Sequence, residues 1–390
     1  MAGRRIVVSG FLGLMPAGGV AWDYVQYPVS FADLGDDVFY IEDTGLWPVF
    51  QEDGMAGGKG NAAYLKRLMD AFGLSGRWAY RDEPSGEWFG LSEARVREVL
   101  RSADVFVNVS CANVLRDWYG DIPVRILLDS DPMFTQVQIE HRQGFTKGAG
   151  GLADDLDGYT HFFSFGENIG EPDCLVPDCG LRWHPTRQPI ALDRWPRSEP
   201  PLPPTATTVL NWSVADDIAH GGRKWGQKNR EWRLIESLPS NCTELKFCAA
   251  VGQSTGKPFP RDVATAAGWE ILDAQAAVPD HDSYRRFIEA SAMEVSIAKH
   301  AYVAARSGWF SCRSACYLAA GRPVVVQDTG WSRVIEPGRG VVAFDTAEEA
   351  SVGVAMIAAD WQAHARAARA VAEEVFDGRK VLTDMLAACG

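Results

Sequence analysis

The sequence predicts an α/β protein of two doubly wound parallel-sheet domains, and three observations carry that expectation. A short apolar run, Ile6-Val7-Val8-Ser9, leads into a Gly-rich stretch, a helical pattern and a second apolar run, the order of a β-α-β unit. Further short apolar runs follow, each ending in polar residues. A proline-rich stretch then breaks the pattern, which afterwards restarts.

At roughly 150 residues per domain, 390 residues make two to three domains, so two large α/β domains use up the chain. A composition 46% hydrophobic and 23% charged excludes a disordered, collagenous or coiled-coil protein. Lys+Arg number 38 against 51 Asp+Glu, a net charge of -13, which argues against a nucleic-acid partner. Any phosphate site must then be local, made of backbone amides, a helix start and one or two cations. No run approaches the length of a membrane span, and the first apolar run is too short for a signal peptide. The eight cysteines form no C-x-x-C and no zinc spacing, so the expectation is a cytoplasmic protein with reduced thiols.

The elements follow in order. Residues 6–9 read as a strand, Gly10 to Gly19 as a loop, Val20 to Leu34 as a helix stopped by Gly35, and 38–41 as the second strand. Further strands are expected at 105–109, 125–128 and 161–165. Their polar ends (Ser110, Asp129-Ser130-Asp131, Glu167) would converge on the ligand-binding edge of a parallel sheet. Trp183 to Thr208 is rich in proline and reads as a linker. Beyond it come a strand at 208–212, a helix near 229–238, strands at 244–248 and 301–303, and helices at 283–290 and 313–320. A strand near 322–326 and an almost wholly helical stretch from Thr346 to Ala388 complete the chain. Domains are therefore expected at 1–190 and 208–365, joined by a linker at 191–207, with a last helix at 366–390 crossing back to the first domain.

Three stretches of the second half suit an anionic ligand. Ser311-Cys312-Arg313-Ser314 places small polar residues and one guanidinium where a helix begins, a setting of unpaired amides and a forked donor. Its plain alternative is an ordinary capped helix. Asp328-Thr329-Gly330 follows a strand, where it suits either a ligand loop or a simple turn. Gly221-Gly222-Arg223-Lys224-Trp225-Gly226-Gln227-Lys228-Asn229-Arg230 sets four cations in an acidic chain, either beside an anion or on a solvated loop.

These residues also carry a resemblance. Leu318-Ala319-Ala320-Gly321-Arg322-Pro323-Val324-Val325, then Gln327-Asp328-Thr329-Gly330, then Glu336-Pro337-Gly338-Arg339-Gly340-Val341 and Thr346-Ala347-Glu348-Glu349-Ala350, resemble the donor half of the GT-B glycosyltransferases. The likeness is to the bacterial group-one, glycogen-synthase-like enzymes. Gly18-Gly19-Val20-Ala21-Trp22 and Leu34-Gly35 are similar to the acceptor half. The resemblance implies two Rossmann-like domains facing across a cleft, a nucleoside-diphosphate sugar held by the second and an acceptor held by the first, with neither metal nor cofactor. It places Lys228 as the phosphate-contacting cation, Ser311, Arg313 and Ser314 at the diphosphate-facing helix start, and Asp328, Thr329 and Gly330 against donor sugar or phosphate. Many retaining members carry two Glu eight positions apart, where this chain has Gly308 and Cys316.

The acceptor half should supply Gly18, Gly19 and Glu167 to the cleft and a general base. Such a base needs a carboxylate or histidine at a strand end or helix start. Asp23 and Asp131 are the two candidates carried forward; His161, at the start of a strand, faces away from the binding edge. Asp129-Ser130-Asp131 also spells the D-x-D of metal-dependent glycosyltransferases, which the second Rossmann-like half argues against. The expected activity is sugar transfer from a nucleotide donor to a small-molecule or glycan acceptor, by a monomer or homodimer. An epimerase or hydrolase of the same fold and an inert nucleotide-sugar binder are the alternatives. Replacing Arg313 or Lys228 with Ala is expected to weaken donor use and leave the fold intact.

Overall fold

The computed structural model describes residues 3–48, 58–141, 156–197, 204–213, 216–252 and 257–390. The chain divides into two compact units, Met1–Gly166 with Pro177–Ala191 and Gly378–Gly390, and Glu167–Val176 with Leu192–Asp377. Part of the proline-rich linker, 198–203, lies outside the described residues.

The first unit is built on β1 (Arg5–Ser9), β2 (Asp37–Glu42), β3 (Trp78–Arg81), β4 (Trp88–Gly90), β5 (Val105–Val109), β6 (Val124–Asp129), β7 (His161–Ser164) and β8 (Trp183–Pro185), in the order β4-β3-β2-β1-β5-β6-β7-β8. Every neighbouring pair is parallel except β3 and β4. Buried parallel strands have no polar face, which is why β1 reads as continuous Ile-Val-Val. The chain runs outward from β1 to β2 and β3, then returns to β5 on the other side, so the strand order reverses between β1 and β5, and the carboxyl ends of those strands are where an open α/β sheet binds its ligand.

The first helix spans Gly18–Asp33, so Gly18 and Gly19 form its first turn instead of ending a loop, a correction to the expected start at Val20. Asp23 accordingly lies in the second turn. Gly35, at φ +89°, stops the chain after this helix as expected. The last helix, Gly378–Ala387, belongs to the same unit and packs on the first. The Gly378 amide donates to the Ile190 carbonyl at 2.9 Å, and a Cβ there would sit 2.8 Å from Ser30 Cβ. Gly378→Ala is expected to cost about 1–3 kcal/mol through overpacking, read as a fall in thermal midpoint; an unchanged midpoint would show that the two helices separate freely.

The second unit carries β9 (Thr205–Asn211), β12 (Lys246–Gly252), β13 (Trp269–Asp273), β14 (Met293–Ser296), β15 (Val324–Gln327) and β16 (Val341–Phe344), all parallel, in the order β13-β12-β9-β14-β15-β16. Here the order reverses between β9 and β14. Leu210, Val251, Val295, Val325 and Phe344 form the core with the tryptophans Trp212, Trp232 and Trp269. The expected helical ending is helices Ala347–Ala359 and Trp361–Val375, followed by Gly378–Ala387 of the first unit. Thr346 and Glu349 close a capping box, with side chain to backbone amide in both directions at 3.2 and 3.0 Å.

Three expectations fail in this unit. Residues His300–Ala304 are a short helix, and the strand lies earlier at Met293–Ser296. The expected helix near 229–238 is two 3-10 turns and the brief helix Leu238–Asn241. The basic Gly-broken loop is the hairpin of β10 (Ile218–His220) and β11 (Arg223–Trp225). Gly221 and Gly222 have φ of +58° and +73°, the two positive values that a two-residue hairpin turn requires.

Candidate functional site

In the second unit the carboxyl ends of β14 and β15 meet the start of helix Cys312–Ala319. Ser296, Ile297, Ala298, Trp309, Phe310, Ser311, Ser314, Val326, Gln327, Thr329 and Trp331 line a pocket there, open to solvent on one side, whose free volume of about 10 Å³ has room for one oxygen-sized group. Ser311 precedes the helix and makes no side-chain cap, so the first-turn amides are not satisfied by the residue usually placed to do so. Ser314 is buried on the pocket wall, and its hydroxyl has no hydrogen-bond partner. Buried polar atoms are normally paired, so this one marks a place where a ligand oxygen would be welcome. Trp331 donates its indole N–H to the Gln327 carbonyl at 3.0 Å and is fixed as a wall.

Gln327 anchors the floor. Its Oε1 accepts from the Ala298 amide at 3.1 Å, and its Nε2 donates to Glu231 at 2.8 Å. The stretch carrying Lys228 is thereby tied to the pocket edge. A second tie joins the Gly226 amide to His300 Nδ1 at 3.2 Å, and a third the Ala301 amide to the Gly226 carbonyl at 3.0 Å. Lys228 is half-buried in the turn between these anchors. Lys299, over the Tyr302 ring at 5.3 Å, is a second cation, in the loop between β14 and the short helix His300–Ala304, that the sequence reading missed.

Arg313 does not face a ligand. It is buried, and its guanidinium donates to Glu294 of β14, to the Val209 carbonyl and to Ser296 Oγ. The helix turns this position inward onto the sheet, where Glu294 is fully buried and needs a counter-charge. Asp328 is likewise occupied: it accepts from the amides of Gly330 and Ser332 and from Ser332 Oγ at 2.6 Å, which makes it the cap of a turn. Thr329 is buried and donates to the Trp309 carbonyl at 2.6 Å, shaping the pocket from behind. Gly330, at φ +92°, gives its carbonyl to Asn168 at 3.1 Å. Glu167, expected in the acceptor half, belongs to the second unit. The segment after it is held there by Asn168 on the Ser307 carbonyl and by Asp173 on Arg306 and Arg333.

In the first unit the carboxyl edge brings together Ser110 and Ser130, whose hydroxyls are 2.6 Å apart, and the Tyr24 hydroxyl, which donates to Ser110 at 3.1 Å. Ser110 and Cys111 have φ of +57° and +53°, a left-handed backbone that non-glycine residues rarely adopt. Asp131 follows β6 on this edge with a half-buried side chain. Asp129 is not available to share a metal with it. Burial pushes the Asp129 carboxyl up, and it accepts from the Asp131 amide, Gln136 and Ser164 at 2.9, 2.8 and 2.6 Å. Among the described residues no three His, Cys, Asp or Glu side chains converge as a metal site.

The Gly-rich loop after β1 is filled from within. Glu42, at the end of β2, accepts from the amides of Gly13 and Leu14 at 2.7 and 2.6 Å and from the Tyr40 hydroxyl at 2.6 Å. Burial raises its pKa from 4.5 to about 7. The sequence reading passed over Glu42 because a single acid ending an apolar run looks like any strand terminus. All eight cysteines are free thiols, and among the described residues no helix is long and apolar enough to cross a membrane.

No protein-family model matches this chain, and no curated protein matches it. Solved structures do. Anabaena HepE in complex with UDP and glucose is 11% identical with a TM-score of 0.58, covering 98% of this chain and 99% of its own. An alpha-glucosyltransferase in complex with UDP and a 13-mer DNA is 9% identical with a TM-score of 0.60, covering 99% of both chains. Sucrose-phosphate synthase of Thermosynechococcus elongatus is 10% identical with a TM-score of 0.53, covering 98% of this chain and 97% of its own. At these identities the likeness establishes the fold, which is the two-Rossmann-domain GT-B fold expected from the sequence.

Proposed function

We propose that this chain is a glycosyltransferase that moves a sugar from a nucleoside-diphosphate sugar to a small-molecule or glycan acceptor. The observation that carries the reading is the pocket at the start of helix Cys312–Ala319, on the carboxyl edge of the second sheet. The full-length likeness to chains captured with UDP supports it.

In this reading the first-turn amides and the Ser314 hydroxyl meet oxygens of the diphosphate, and Lys228 offsets the charge that builds as the donor bond breaks. Arg313 takes no part, so the cationic share falls on Lys228 and Lys299. Asp131 is the base that takes the acceptor's proton, because it alone of the two candidates lies in the loop that follows a strand on the ligand edge; Asp23 sits a turn inside a helix. The proposed step uses the chain's own groups and calls for neither cofactor nor metal. A net charge of -13 favours a small or glycan acceptor over a polyphosphate such as the DNA bound by one structural neighbour.

Calorimetric titration with UDP, GDP, TDP and ADP tests this. One nucleoside diphosphate is expected to bind, and Lys228→Ala to weaken it roughly 10- to 100-fold, the loss of one charge-assisted contact, at unchanged thermal midpoint. Binding of none of the four, or equal affinity in the variant, would sink the assignment. Incubating the matching nucleotide sugar with and without acceptors separates transfer from hydrolysis and from inert binding.

A further inference from the structure

Asn168 stands outside the pocket, yet two of its walls close on it. It is buried, its backbone amide donates to the Ser307 carbonyl at 3.1 Å, and its side-chain amide donates to the carbonyls of Arg306 at 3.0 Å and Gly330 at 3.1 Å. The stretch from Arg306 carries Trp309, Phe310 and Ser311 into the pocket, and the stretch through Gly330 carries Gln327, Thr329 and Trp331. Those two loops also touch directly, Gly308 amide to Thr329 carbonyl at 2.9 Å and Thr329 Oγ1 to Trp309 carbonyl at 2.6 Å.

The backbone is shaped around this one side chain. Gly308 and Gly330 have φ of +80° and +92°, and a Cβ at either would lie 2.9 Å from Asn168 Cγ or 2.6 Å from its Nδ2. Arg306, at φ +49°, holds a left-handed conformation without being glycine. Strain of that kind persists only where the surroundings over-determine it. Both acceptors are carbonyls, so the residue must be a two-hydrogen donor, which Asp, Ser and Thr are not.

We propose that Asn168 is a positioning residue that locks the 306–311 and 328–331 loops together and thereby fixes the pocket for the diphosphate of the donor; the ligand part rests on the function proposed above. The segment that delivers it lies in sequence between β7 and β8 of the first unit and belongs to the second, so the residue reaches the pocket loops from outside their own stretch of chain.

Two variants test it. Asn168→Ala removes the side chain, and Asn168→Asp keeps its shape while replacing both donations by repulsion from the carbonyls. Hydrogen exchange followed by mass spectrometry, on the full chain without ligand, should show faster exchange at 308–312 and 329–332 together in both variants. Rates in β9 and β12 should stay at the wild-type level. UDP, or whichever diphosphate binds the wild type, should bind about tenfold more weakly. Unchanged exchange in the two loops overturns the clamp, and faster exchange at unaltered nucleotide affinity overturns its role in the pocket. If the wild type binds no diphosphate, the functional reading fails and the exchange data alone decide the clamp.

Discussion

Arg313→Ala should destabilise the second unit by about 3–5 kcal/mol, the cost of stranding a buried charge, and leave little folded protein in which to measure a donor constant. Glu294 is fully buried, and Arg313 is its ion-pair partner. One of the two Glu294 oxygens already lacks a hydrogen bond, so removal of the guanidinium leaves a carboxylate with no compensation at all. The pair costs desolvation of both ions, and replacing both partners is a different experiment from removing one. Arg313→Met combined with Glu294→Leu should recover most of the lost stability, since an apolar pair of similar volume is often neutral or better in such a site. Urea denaturation of the three proteins reads this directly. A stable, well-folded Arg313→Ala variant with weakened nucleotide binding would restore the sequence-based role of this arginine as a phosphate contact.

That contrast shows what the linear sequence carried and what it did not. Strands buried on both faces announced themselves as apolar runs, and β1, β2, β5, β6 and β15 lie where such runs stand. β14 did not, because Met293-Glu294-Val295-Ser296 contains an acid whose partner comes nineteen residues later, and only the fold brings the two together. The same distance hid the role of Arg313: a cation in the first turn of a helix that follows a loop looks the same from the chain whether it faces a phosphate or a buried carboxylate. Gly221-Gly222 carries the signal of a hairpin turn, since paired glycines between short runs favour one, but the four neighbouring cations fit an anion-binding loop equally well from sequence alone. Asn168 was beyond reach, because its partners lie 138 and 162 residues away. Ser311 and Ser314 were legible, as small polar residues opening a helix after a sheet strand are placed by local rules alone.

Glu42 sets two opposing forces against each other, and the sign of one experiment decides between them. Three donors, the Gly13 and Leu14 amides and the Tyr40 hydroxyl, favour the carboxylate, while complete burial favours the neutral acid. Burial wins, with a pKa raised to about 7 in the folded chain. Between pH 4.5 and 7 the native state therefore holds a proton that the unfolded chain has released, so stability falls as pH rises through that window. Below it both states are protonated and above it both are ionised, so the contribution is flat at either end. The shift corresponds to about 3 kcal/mol across the window. Glu42→Gln mimics the neutral acid in size and cannot ionise. Its amide NH2 accepts no hydrogen bond from the loop, a cost that is the same at every pH; its stability in urea denaturation is therefore expected to stay level between pH 4.5 and 8, while that of the wild type falls by about 3 kcal/mol. If the Gln variant instead loses ground as pH rises, the three donors outweigh burial, and the Gly-rich loop is held by a true anion at neutral pH.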